Sequence, residues 1–180
     1  MLDFHPLRLE DLPKLRQFFG YSRSRICDTT PGTVLIWRDI YKTEWAVYGG
    51  SLYFKVDYPG LGPTFTLPLG GGRPEHFRQI ADYCCRRSMP IAFYPVPKDE
   101  LEQLQEFFPA STAVGERDSF DYLYRAEDLK YFRGKKLSGQ RNHVNKFLKT
   151  YGNWSFRPIA QPDIPAVKAF LDNYAARWDK

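Results

Sequence analysis

Two stretches of this chain carry the same punctuation. Phe4-His5-Pro6-Leu7-Arg8-Leu9-Glu10-Asp11-Leu12-Pro13-Lys14-Leu15-Arg16-Gln17-Phe18 aligns with Phe156-Arg157-Pro158-Ile159-Ala160-Gln161-Pro162-Asp163-Ile164-Pro165-Ala166-Val167-Lys168-Ala169-Phe170. Each reads as a short strand, an Asp at a helix start, a Pro in the first turn and apolar residues at helical spacing. From Phe4 to Phe156 the offset is 152 residues, a domain length and not a solenoid period. The expected organisation is a first domain at 1–132, a basic connecting helix at 133–152, and the first strand and helix of a second, truncated domain at 153–180. Ile164, Val167, Leu171, Tyr174 and Trp178 then form a stripe with no sheet of their own, expected to pack on the first domain or on another chain.

Periodicity within the first unit predicts a helix at 9–19, using Leu9, Leu12, Leu15 and Phe19, and a short helix at 33–41. "EWAVYGGSLYFKV" is two β-rich runs around Gly49-Gly50, a hairpin signal. "TFTLPL" reads as a third strand. Phe77, Ile80, Ala81 and Cys84 make the buried stripe of a helix opened by Pro74 and Glu75. "PIAFYPV" is a short apolar strand, 98–108 a helix, and "STAVGE" and "FDYLYR" two further strands. A strand–helix–strand crossover implies a parallel pair within a mixed α/β (or α+β) sheet covered on both faces.

Charge is concentrated in one place. The chain carries a formal net charge of +5. Arg133, Lys135, Lys136, Arg141, Lys146 and Lys149 fall at 133–149, and no acid falls among them. Intrahelical i,i+4 pairing therefore cannot account for them. A helix at 136–151 would bury Leu137, Val144, Phe147 or Leu148 and Tyr151 and present cations on its other side. That points to an anionic partner, with Arg141 forking onto a phosphate and Lys135, Lys136 and Lys146 as point charges. Asn142 and His143 could add hydrogen bonds. A second candidate is the Gly70–Gly72 loop before a helix start, although Pro74 removes a donor and a plain turn is favoured.

Other chemistries find little support. Cys27, Cys84 and Cys85 have no CxxC spacing, and His5, His76 and His143 are scattered, so neither a disulfide framework nor a metal site is expected. No apolar run spans a bilayer and the first residues lack a signal-peptide core, so a cytoplasmic protein, peripheral at the inner membrane face, is expected. No Ser-His-Asp or Cys-His set is identifiable, which disfavours a covalent intermediate.

"CDTTPGTVLIWRDIYKTEWAVYGGSLYFKV", "ERDSFDYLYRAEDL" and "GKKLSGQRNHVNKF" resemble the bacterial family related to the C-terminal domain of phosphatidylglycerol lysyltransferase, and the resemblance runs through essentially the whole chain. That family is a tandem GNAT fold similar to the peptidoglycan-bridge aminoacyltransferases. The resemblance implies transfer of an aminoacyl group from aminoacyl-tRNA, the only co-substrate expected, to a phospholipid or peptide acceptor. In the peptidoglycan-bridge relatives a basic helix with a K-x-R-type pattern contacts substrate phosphate; Lys136 and Arg141 are the nearest positions, more widely spaced. The loop and helix at 27–42 occupy the position that shapes the acceptor site in GNAT enzymes, which nominates Asp28, Trp37, Arg38 and Lys42. Their structural alternative is a turn cap for Asp28, packing for Trp37 and a pair with Asp39 or Glu44 for Arg38. The catalytic residues are expected beyond residue 180, so the fragment would be silent. The expected partners are tRNA or an anionic headgroup. The alternatives are a non-catalytic anion-binding module and an acetyl-CoA-dependent N-acetyltransferase, for which the Gly70–Gly72 loop departs from the usual R/Q-x-x-G-x-G/A.

Overall fold

Gly49 and Gly50 take φ of +58° and +79°, the two-residue turn whose twist matches that of the strands it joins. It closes β2 (Glu44–Tyr48) onto β3 (Ser51–Tyr58), with Glu44 opposite Lys55 and Tyr48 opposite Ser51. β1 (His5–Pro6) adds to β2, and β4 (Gly62–Phe65) to β3, giving a four-stranded antiparallel sheet in sequential order. The computed structural model describes residues 1–21, 26–70, 74–115 and 117–177. Among these, α1 (Leu12–Phe19), α2 (Pro31–Ile36), α3 (Pro74–Arg86), α4 (Leu101–Phe107), α5 (Ala126–Tyr131), α6 (Ser138–Thr150) and α7 (Ile164–Ala175) accompany the sheet, so the fold is mixed α/β. The chain separates into two compact units, Met1–Asp121 and Tyr122–Lys180.

In the first unit the sheet is covered on both faces, as expected. One core joins Leu2, Ala46, Tyr53 and Phe65 to Ile80, Tyr83 and Cys84 of α3. The other joins Leu7, Trp45, Leu52, Phe54 and Leu69 to Leu15 and Phe18 of α1. Successive residues of a strand point to opposite faces, so Leu52, Tyr53 and Phe54 feed the two cores in turn. That is why β3 reads as a continuous apolar run and not as an alternation. Each fully buried large side chain contributes roughly 1.5–3 kcal/mol of transfer free energy. Gly70 (φ +118°) lies against the hairpin; a Cβ there would sit 2.7 Å from the Gly50 carbonyl oxygen.

Several expected elements differ. The strand at 90–96 supplies one parallel bridge, Phe65 to Phe93, with the Phe65 N–H donating to Ala92 O (2.9 Å) and the Tyr94 N–H to Phe65 O (3.0 Å). Pro90, Pro95 and Pro97 lack the N–H groups that a longer ladder needs. Among the described residues the parallel pair is therefore present only as this contact. The strands expected at 111–116 and 120–125 do not form among the described residues; Arg117–Ser119 is a 3-10 turn and Tyr122, Leu123 and Tyr124 are exposed. β-rich composition does not make a strand where no neighbour pairs with it. The helix expected at 33–41 is shorter and earlier, because Thr30 accepts from the Thr33 N–H and Pro31 occupies the first turn.

The two copies of the shared motif adopt one conformation. Arg8 (φ −121°, ψ 161°) matches Ala160 (−113°, 167°), and Leu12 (−54°, −42°) matches Ile164 (−54°, −43°). In each, a 3-10 turn runs into the helix and the Asp reaches back three residues. The Arg8 N–H donates to Asp11 Oδ2 at 2.9 Å, and the Ala160 N–H to Asp163 Oδ2 at 2.8 Å. Only the first copy is preceded by a paired strand among the described residues. No described residue of the second unit is buried. Ile164, Leu171 and Tyr174 of the expected stripe are exposed and Val167 is half-buried, while Trp178 lies outside the described residues.

Candidate functional site

A cavity of about 40 Å³ opens in the first unit where α2, β3 and the segment after α3 meet. Its walls are Asp28, Thr33, Val34, Trp37, Tyr41, Thr43, Phe54, Val56, Tyr58, Thr66, Tyr94 and Pro95. The aromatic rings form a chain. Trp37 and Tyr41 lie 5.9 Å apart between centroids, Tyr41 stacks on Tyr58 at 4.6 Å, and Tyr94 meets Tyr58 edge-on at 4.3 Å. The backbone holds them in place: Asp57 N–H donates to Tyr41 O at 2.8 Å, tying the loop after α2 to the end of β3. Burial raises the Tyr58 hydroxyl well above its ordinary value, helped by a hydrogen bond with Tyr41 and by the charges of Tyr41, Tyr94 and Asp28. Burial likewise raises Asp28, and the nearby Asp121 carboxylate raises it further against its own backbone hydrogen bond.

Of the four acceptor-site candidates, the fold brings Asp28 and Trp37 to this cavity. Arg38 and Lys42 do not line it. Arg38 pairs with Asp39 at 3.2 Å and donates to Leu35 O at 2.7 Å; Lys42 pairs with Asp57 at 3.3 Å. Tyr41, Tyr58 and Tyr94 are the side chains that sequence reading missed. The one available signal was their shared residue type; Tyr94 reaches the others through the parallel bridge at Phe93.

The basic segment lies in the second unit. α6 carries Arg141, Asn142, His143, Lys146 and Lys149, preceded by Lys135 and Lys136. Among the described residues none of its cations joins an ion pair. Arg141 has another task. Its Nη1 donates to Phe132 O and, at 3.5 Å, to Gly134 O. Phe132 ends α5 in the left-handed conformation (φ +46°), so Arg141 fastens the corner between α5 and α6. The expected apolar side of α6 is not buried: Val144, Phe147, Leu148 and Tyr151 are all exposed. Of the Gly70–Gly72 loop only Gly70 belongs to the described residues.

A buried Ser–His pair lies outside every sequence-based expectation. Ser51 Oγ lies 3.2 Å from His76 Nδ1 and 3.4 Å from Nε2. Both residues are buried, so this pair ties the hairpin to α3 and offers no nucleophile to a substrate. Among the described residues, no group of three His, Cys, Asp or Glu could hold a metal ion, and no helix is long and apolar enough to cross a membrane.

The family model of the phosphatidylglycerol lysyltransferase C-terminal domain matches residues 19–179. The chain belongs to that family. Both the aromatic cavity and α6 fall inside the matched region of the lysyltransferase-like domain. No curated protein matches the chain. Among solved structures, a conserved protein of unknown function from Bacteroides thetaiotaomicron VPI-5482 is similar with a TM-score of 0.79 and 25% identity over 99% of this chain. The present chain spans 61% of that one.

Proposed function

We propose that this lysyltransferase-like chain is the first unit, and the opening of the second, of a tandem GNAT-type aminoacyltransferase. It would move an aminoacyl group from aminoacyl-tRNA to an amine or hydroxyl of a phospholipid or peptide. Membership of the family supports the transferase class. The matching conformations at Arg8–Leu12 and Ala160–Ile164 support a repeated unit. The observation that carries a nucleic-acid or anionic-lipid role is the acid-free cationic run at 133–149, whose charges find no carboxylate among the described residues.

Aminoacyl transfer needs a neutral amine or an activated hydroxyl held against an ester carbonyl, with the developing oxyanion stabilised. The attacking group forms the new bond to the carbonyl carbon while the tRNA terminal hydroxyl leaves with a proton. In this reading the cations of α6 hold a phosphate of donor or acceptor and take no part in proton transfer. Direct attack within a ternary complex suits a unit whose Ser51–His76 pair is sealed from substrate.

The test is binding of unfractionated tRNA, and separately of phosphatidylglycerol vesicles, across a salt series. Lys136→Glu with Lys146→Glu is the variant to use, because Arg141 holds main-chain carbonyls. Binding is expected to fall linearly in log–log against salt. The double variant is expected to lower the slope by about one for each phosphate it no longer neutralises. Affinity that ignores ionic strength, or is the same in the variant, contradicts the reading.

A further inference from the structure

The aromatic cavity of the first unit has the chemistry of a small-cation site. Its carboxylate, Asp28, has no cationic partner among the described residues. Thr43 also lines the cavity, is only 5% exposed, and its hydroxyl makes no hydrogen bond among the described residues. That hydroxyl can accept a hydrogen bond from a bound group. Trp37, Tyr41, Tyr58 and Tyr94 supply the rest of the wall, and aromatic rings attract cations through their quadrupole. The volume of about 40 Å³ is a few times that needed for one water. It admits an ammonium and the carbon attached to it.

We infer that this cavity is a recognition subsite for a primary ammonium group, with Asp28 and Thr43 accepting its N–H bonds and the four aromatic residues enclosing its charge. An anion is excluded by Asp28 and by Asp121 close to it. A neutral apolar group would leave the Asp28 carboxylate unanswered. Burial disfavours the bare Asp28 carboxylate, and a bound cation would relieve that penalty. The ammonium could come from an aminoacyl ester or from an aminophospholipid headgroup; the two share this chemistry. The inference rests on the transferase reading only for the source of the amine, not for its capture.

The experiment follows the Trp37 indole N–H resonance of the full chain, assigned by its loss in Trp37→Phe. Ethylammonium chloride is titrated at constant ionic strength, with ethanol as the neutral match. A saturable shift is expected with ethylammonium and none with ethanol. Asp28→Asn is expected to weaken binding at least about tenfold, the scale of a lost charged hydrogen bond. Thr43→Val keeps the side-chain shape and is expected to weaken it a few-fold, so the inference stays testable should the Asp28 variant fold poorly. No saturable shift, equal affinity in both variants, or equal binding of ethanol overturns the subsite. Alanine methyl ester and O-phosphoethanolamine, run in parallel, then separate the two sources. Ammonium capture without any tRNA binding would sink the transferase reading and leave the subsite standing. Salt-dependent tRNA binding without capture would do the reverse.

Discussion

Tyr53 shows how a single residue can work against the fold that contains it. Its ring fills the core between β3 and α3 at 1% exposure, yet its hydroxyl is enclosed there without a hydrogen-bond partner. Burial, with a smaller contribution from Tyr48, pushes that hydroxyl up to about 12. Tyr53→Phe removes the orphaned group and keeps the ring, so stability in urea is expected to be unchanged or to rise by up to about 1 kcal/mol. A larger decrease would mean the hydroxyl has a partner after all. Asp28 titrates in the unfavourable direction. Its folded-state value lies above the ordinary 3.8 through burial and Asp121, so its penalty is absent below the unfolded value and grows as pH rises through the folded one. Asp28→Asn is expected to increase stability in urea at pH 7, by less than about 1 kcal/mol because the half-buried carboxylate is partly screened by solvent, with the gain vanishing below pH 3.8. A pH-independent difference would contradict the burial account.

At the scale of elements, the start of a helix matters more here than its interior. α1 has eight residues, too few to persist by propensity alone. Asp11 secures it twice, accepting the Arg8 N–H at 2.9 Å and the Trp45 Nε1–H at 3.1 Å. The second bond fastens the helix to β2. Asp11→Ala is expected to cost about 1–2 kcal/mol, with Asp11→Asn recovering part of it; equal stability of the wild type and Asp11→Ala by urea titration would remove Asp11 from this role. Asp163 repeats the first bond at α7, where Arg157 takes the place of the Trp45 contact at 2.5 and 2.6 Å. Arg157 and the Ala160 N–H hold the Asp163 carboxyl below its ordinary value. This motif was legible in the sequence because Pro and Asp impose it locally. The strands at 111–116 and 120–125 were misread because a strand is defined by its neighbour, and apolar alternation alone does not provide one.

On the scale of the whole molecule, the two units differ in what they bury. Met1–Asp121 contains both cores, whereas no described residue of Tyr122–Lys180 falls into the buried class. Residues 1–121 made alone are expected to unfold in one cooperative urea transition. Residues 122–180 made alone are expected to show weak helicity and a broad, non-cooperative melt, since helices without a buried face are marginal in water. A sharp transition in the shorter piece, by circular dichroism, would show a core of its own.

Local chemistry in the chain was enough to specify the Gly49-Gly50 hairpin, the capped helices, the shared motif and the place of the basic run, because each depends on residues close in sequence. Tertiary structure alone decided which candidates share a cavity. It joined Asp28 and Trp37 to Tyr58 and Tyr94, set Arg38 and Lys42 aside in ion pairs, and gave Arg141 to the carbonyls of Phe132 and Gly134. Those outcomes depend on which strand lies beside which and where each chain segment ends, and spacing along the sequence does not carry that information.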